Sequence, residues 1–142
     1  MAEFKFKYLT LQSIRCITHS SGAGNDDVYF RVLSDWDKSW KWIPRDPGLQ
    51  NSWDIDEDSN IQLQPKSKLQ NGNEVEGKIL AFIFDKHIRV EIWDYDSISG
   101  DDYLGGHDFY YTDHSGGKTF SSVSENSEYY IEYKITDVTI IV

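Results

Sequence analysis

The sequence predicts an all-β protein, and three observations carry that reading. Apolar and polar residues alternate in short runs, the runs are rich in aromatic and β-branched residues, and clusters of Gly, Asn, Asp and Ser punctuate them. No segment shows a sustained 3.6-residue period with a cap at each end.

The expected strands follow in order. Residues 4–18 (FKFKYLTLQSIRCIT) open the chain, and the small-residue loop HSSGAGNDD, residues 19–27, ends them. Residues 28–33 (VYFRVL) form the second strand, and residues 39–43 the third, in which Trp40 and Trp42 alternate with Lys41 and share a face. Residues 44–77 form a long polar segment holding a strand or two, of which 60–64 (NIQLQ) reads most clearly. Residues 78–84 (KILAFIF), 87–93 (HIRVEIW), 108–111 (DFYY) and 129–142 (YYIEYKITDVTIIV) complete a set of eight. The spacing of strands and turns suggests a sandwich.

Composition bounds the rest. A chain of 142 residues with 39% hydrophobic and 15% aromatic content builds one core, so residues 1–142 are read as a single domain. The one cysteine, Cys16, has no internal disulfide partner and suits a reducing compartment. No run of eighteen apolar residues occurs and the N-terminus lacks the apolar stretch of a secretory signal, so a cytoplasmic or peripheral-membrane location is expected. With 24 acidic and 14 basic residues the net charge is −10, which repels phosphate backbones and makes nucleic acid a poor partner.

The stretch WDYDSISGDDYLGG, residues 93–106, places Asp94, Asp96, Asp101 and Asp102 directly after a strand. Crowded carboxylates at a loop tip are what a calcium ion needs, since it takes six to eight oxygen ligands. The D-x-D opening is not an EF-hand: Ile98 stands at the fifth position, Gly100 comes one residue late, and the flank is a strand. A solvated Asp- and Gly-rich turn is the bland alternative.

The order strand, D-x-D-x-x-S-x-x-D and a following glycine resembles the third calcium-binding loop of the C2 domain family. Asp94, Asp96, Ser99, Asp102 and Gly105 fit it position by position. The stretch DDVYFRV is similar to the end of the family's first acidic loop, with Asp27 at its closing aspartate and Tyr29 and Val32 in step. The resemblance spans roughly residues 11–111. It implies an antiparallel, eight-stranded Greek-key β-sandwich, C2-like, that binds calcium between the 19–27 and 94–102 loops. Asp27, Asp94, Asp96, Ser99 and Asp102 are the implied ligands. Ser21 replaces an expected aspartate, leaving Asp26 or Asn25 to substitute, and the family's second loop is not recognisable within residues 44–77. Bound calcium would neutralise the loops for docking on an anionic phospholipid membrane, with Tyr95 and Ile98 as apolar contacts and only Gly22 and Ala23 opposite them.

The other features point less sharply. Asp54, Asp56 and Asp58 read as a solvated strand face or loop. Trp93 is expected in the core, and Trp40 and Trp42 as caps on it. If Trp36, Trp40, Trp42 and Trp53 instead form a platform, the chain is a calcium-stabilised, carbohydrate-binding, lectin-like sandwich. A metal-free interaction module is a third possibility. The histidines lack metal spacing and no nucleophile motif occurs, so the chain is not read as an enzyme.

Overall fold

Alternation of apolar and polar side chains determines which face of each strand is buried, and the observed strands follow that pattern. The computed structural model describes residues 1–20 and 25–142. Among them lie twelve strands: β1 (Glu3–Thr18), β2 (Asp26–Ser34), β3 (Trp40–Ile43), β4 (Trp53–Ile55), β5 (Asn60–Gln62), β6 (Lys66–Lys68), β7 (Glu74–Glu76), β8 (Ala81–Phe84), β9 (His87–Asp94), β10 (Asp102–Tyr110), β11 (Gly116–Ser122) and β12 (Ser127–Ile141). A 3-10 turn at Gly77–Leu80 takes the place of the first half of the strand expected over 78–84.

All described pairings are antiparallel, and they build two layers. One sheet runs β11-β12-β1, then β8 and β5 share the far edge of β1. β8 pairs with Lys7–Thr10 and β5 with Ser13–Arg15. The other sheet runs β10-β9-β2, and β3 and β4 divide the far edge of β2 in the same way. Each layer is therefore four strands wide with a broken outer strand. The broken outer strands make ten strands of eight positions, and the β6–β7 ribbon brings the number to twelve where eight were expected. β6 and β7 form a separate two-stranded ribbon.

The core fills the space between the layers. Val28, Phe30 and Val32 of β2 and Ile88, Val90 and Ile92 of β9 point inward to meet Leu9, Leu11 and Ile14 of β1 and Tyr129 and Ile131 of β12. Burying each such side chain contributes roughly 1.5–3 kcal/mol. The segment 44–77 adds Trp53, Ile55, Leu63, Leu69 and Val75 to the same core. Trp53 packs edge-on to Phe30 with ring centroids 5.3 Å apart, and its indole N–H donates to Ser67 Oγ at 2.7 Å.

One edge of the sandwich is closed. β10 carries an irregularity between Tyr103 and Gly105, and Gly105 adopts φ +143°, in the region that favours glycine. A Cβ there would stand 2.5 Å from Ser121 N and 2.8 Å from Phe120 C, both backbone atoms of β11. Ser127 Oγ donates to Leu104 O at 3.0 Å and ties the same point to β12. The missing side chain lets β10, in one layer, lie against β11, in the other.

The outward residues of β9 correct one expectation. Trp93 is half-buried on the outer face, where its indole N–H donates to Glu91 Oε1 at 3.1 Å. Glu91 also accepts from Arg31 Nη2 at 2.6 Å and Arg89 Nε at 2.8 Å. Although burial raises the Glu91 pKa, these bonds hold it below the usual carboxylate range. The Arg31 guanidinium lies 3.9 Å from the Trp40 ring centroid and 5.1 Å from that of Trp93. Both indoles thus cover an ion-pair cluster outside the sandwich and do not cap its core.

Candidate functional site

The strand register places four carboxylate residues at one end of the second layer, on its four neighbouring strands. Asp102 of β10 is paired directly with Asp94 of β9. Asp94 lies opposite Val28, one residue along β2 from Asp27, and Asp27 is paired directly with Asp54 of β4. Two like-charged cross-strand pairs thus stand at the same end of the sheet, Asp94 with Asp102 on the face of Val28 and Asp27 with Asp54 on the opposite face, and each pairing destabilises a sheet unless protons or cations neutralise it.

The neighbouring backbone locks this end in place. The Asp27 N–H donates to Asp94 Oδ1 at 2.7 Å, and Tyr95 N–H donates to Asp27 O at 2.8 Å. The Asp94 carboxyl is pushed up to about 7, chiefly by burial, with the Asp27 N–H hydrogen bond opposing the rise and Asp26, Asp27 and Asp102 adding to it. Burial likewise raises Asp27, with Asp54 and Asp26 adding to the rise and Gln70 opposing it. Asp102 is raised by burial, then by Asp96, Asp26 and Asp101.

Asp96 is placed differently. Its Oδ1 accepts from the N–H groups of Ile98 and Ser99 at 2.8 and 3.2 Å, and its Oδ2 accepts from Ser99 Oγ at 2.7 Å. These bonds make an Asx-type turn that lowers the Asp96 pKa, Ser99 Oγ contributing most. Asp101 closes the loop: its Oδ1 accepts from Asp96 N–H at 3.0 Å and its Oδ2 from the Tyr29 hydroxyl at 2.6 Å. Ile98 stands almost entirely in solvent at the tip, 95% exposed, while Tyr95 is half-buried.

Asp26 points away from Asp27, as alternation along β2 requires, and is buried. It accepts from Ser20 N–H at 2.9 Å, from Ser20 Oγ, and from the Tyr129 hydroxyl. The carboxylate so joins the two flanks of the first loop to a core tyrosine. Ser21, Gly22 and Ala23 lie outside the described residues. Cys16, beside Tyr129, is buried, and its thiol is pushed up to about 11 chiefly by that burial, which leaves it unreactive.

Asp54 and Gln70 join this end although neither is marked as a site residue by its own stretch of sequence. Gln70 Nε2 donates to Asp27 Oδ1 at 2.8 Å, Ser52 Oγ at 2.9 Å and Leu49 O at 3.0 Å, which brings the 44–77 segment to the acidic end. The alternation Trp53-Asp54-Ile55 is the available signal for Asp54, while nothing local marks Gln70. Asp54, on β4, and Asp56 and Asp58, in the turn after it, are all exposed, as expected of a solvated strand face or loop. The four-tryptophan platform is not formed: Trp53 is core, Trp36 packs edge-on to Phe6 at 4.5 Å, and Trp40 is covered by Arg31.

The donor set is all oxygen, from carboxylates and the Ser99 hydroxyl, which fits a hard cation such as calcium and not zinc. Among the described residues, no three His, Cys, Asp or Glu side chains are already gathered to hold a metal ion. Nor is any helix among them long and apolar enough to cross a membrane.

The Asp94 shift has a measurable consequence. Its folded pKa lies above the ordinary carboxylate value, so between those values the folded state binds the extra proton and stability from this group falls as pH rises. In chelator, Asp94→Asn is expected to melt above the parent at pH 8, with the gap narrowing toward pH 6. A gap independent of pH would show that Asp94 does not titrate there.

The chain is similar over its whole length to human GIVD cytosolic phospholipase A2, solved with methyl gamma-linolenyl fluorophosphonate inhibitor and terbium chloride, at 13% identity and a TM-score of 0.50. It spans 19% of that protein. It is also similar to a structure described as a C2 domain (13% identity, 94% of this chain and 99% of that one, TM-score 0.46). A third is the C2A domain of plant extended synaptotagmin 1 (11% identity, 94% and 97%, TM-score 0.47). No family model matches the chain, and no curated protein does. The chain has a C2-like β-sandwich fold, with antiparallel sheets and an acidic end.

Proposed function

We propose that this C2-like module binds calcium at its acidic end and, so charged, docks on anionic phospholipid. The observation that carries the reading is the gathering of two opposed carboxylate pairs, Asp27 with Asp54 and Asp94 with Asp102, at one end of the second layer. Asp27, Asp94, Asp96 and Asp102 are the proposed principal ligands, and Ser99 supports Asp96 through its hydroxyl. Asp26 anchors the first loop, and Ser21, from the same stretch of sequence, is a further proposed ligand. Calcium would supply the positive charge that the acidic end lacks and leave coordination positions for a phosphate oxygen. The chain's own residues hold the carboxylates in register, shape the loop through Asp96 and Asp101, and present Ile98 to the interface. The module itself performs no catalysis in this reading.

Titration with calcium, with and without phosphatidylserine vesicles, tests both halves. Calcium is expected to raise the melting temperature relative to chelator, by a stabilisation of about 2.7 kcal/mol at a hundredfold excess over Kd. Equal melting in both would mean that the loops are solvated turns. Ile98→Ala is expected to weaken calcium-dependent vesicle binding by about 1–2 kcal/mol without changing calcium affinity. Vesicle binding that ignores this change would take Ile98 out of the contact.

A further inference from the structure

The two edges of the sandwich differ. Where β10 meets β11 the layers close, but on the other side β3 is hydrogen-bonded to β2 and β8 to β1, with no described pairing between β3 and β8. A groove of about 350 Å³ opens there, lined by Trp40, Trp42 and Ile43 of β3, by Ile79 of the 3-10 turn and by Phe82 of β8. Phe82 and Ile43 belong to the core, so the groove floor is the core itself. Its rim is wet: Trp42 is 43% and Ile79 50% exposed.

The charge at the rim indicates what fits. Lys41 and Arg45 both line the groove, but Lys41 is already paired with Asp37. Arg45 is exposed and has no ion pair or side-chain hydrogen bond among the described residues. An apolar slot with one uncommitted guanidinium is complementary to an apolar body bearing one carboxylate, which a guanidinium can hold through two parallel hydrogen bonds. The volume is that of a small-molecule site. A chain of net charge −10 also opposes an extended anionic surface here more than a single small anion.

We propose that the open β3–β8 edge binds a small amphipathic monocarboxylate, its apolar part between Trp42, Ile79 and Phe82 and its carboxylate on Arg45. The site is separate from the acidic end, because β3 pairs with Phe30–Leu33 of β2 whereas β4 pairs with Asp26–Val28. It does not depend on calcium.

Submillimolar decanoate, titrated calorimetrically into the whole chain in chelator and followed through the tryptophan indole N–H resonances, is the test. Decanoate is expected to bind and to shift the Trp42 indole signal. Arg45→Gln is expected to weaken decanoate by about tenfold or more while leaving the weaker binding of decan-1-ol unchanged. Ile79→Glu, at an exposed position, is expected to abolish decanoate binding without lowering the melting temperature. Absence of binding, decanoate affinity indifferent to Arg45→Gln, or shifts confined to tryptophans other than Trp40 and Trp42 would overturn the proposal. So would an acidic apolar peptide or phosphatidylserine vesicles binding through Arg45 in chelator where decanoate does not.

Discussion

Replacing Asp94 and Asp96 together by Asn is expected to weaken calcium binding by roughly two orders of magnitude while leaving the calcium-free protein at least as stable. The two halves of this result have separate causes. Calcium affinity depends on ligand charge, and the double substitution removes two of the four proposed carboxylates. The hydrogen bonds, however, survive. An amide oxygen at position 94 can still accept the Asp27 N–H, and one at position 96 can still close the turn to Ile98 and Ser99. What disappears at 94 is a negative charge facing Asp26, Asp27 and Asp102. Calorimetric calcium titration and melting in chelator read the two effects independently. Unchanged calcium affinity would remove both residues from the site, and a large loss of apo stability would show that their charges stabilise the fold.

Gly105→Ala is expected to cost about 2–4 kcal/mol, a drop in melting temperature on the order of 10 °C. The backbone there is at φ +143°, and the new methyl would fall 2.5 Å from Ser121 N. Since the obstacle is backbone, no rotamer change relieves it, and β10 must separate from β11. Thermal melting in chelator measures the cost. An unaltered melting temperature would mean that the two edges do not approach as described.

The same glycine shows where the sequence is hard to read. The all-β class is legible because β1, β2, β9 and β12 alternate over many residues. The start of β10 is not, because Asp102, Gly105 and Gly106 are turn-forming residues, and their extended conformation comes from the approach of β11 and the bulge beside it. β11 escapes for a related reason: GGKTFSS offers a single large apolar residue, Phe120, to the core. In the 44–77 segment each three-residue strand buries at most two side chains, too few to show a period.

The acidic end divides similarly. Asp94, Asp96 and Asp102 can be read together because one loop holds them. Asp54 and Gln70 reach that end through pairing and side-chain contacts between distant segments, which local spacing does not encode. The tryptophans mislead because the pattern of β3 and β9 shows which residues share a face, while the choice of inner or outer face is made by Arg31, Arg89 and Glu91.

The register of β1 with β12 bears on the order in which the molecule assembles. Glu3 pairs with Ile141 and Thr18 with Glu128, so the longest ladder in the fold joins opposite ends of the chain. Such pairings are reached late, because a long loop must close before any contact rewards it. Tyr129 arrives with β12, and only then does Asp26 gain the hydroxyl that fixes the flanks of the first loop. The anchoring of the first loop is therefore expected to be among the last contacts to take its native shape. A cation selective for that shape acts chiefly by slowing unfolding, with little influence on how fast the chain folds.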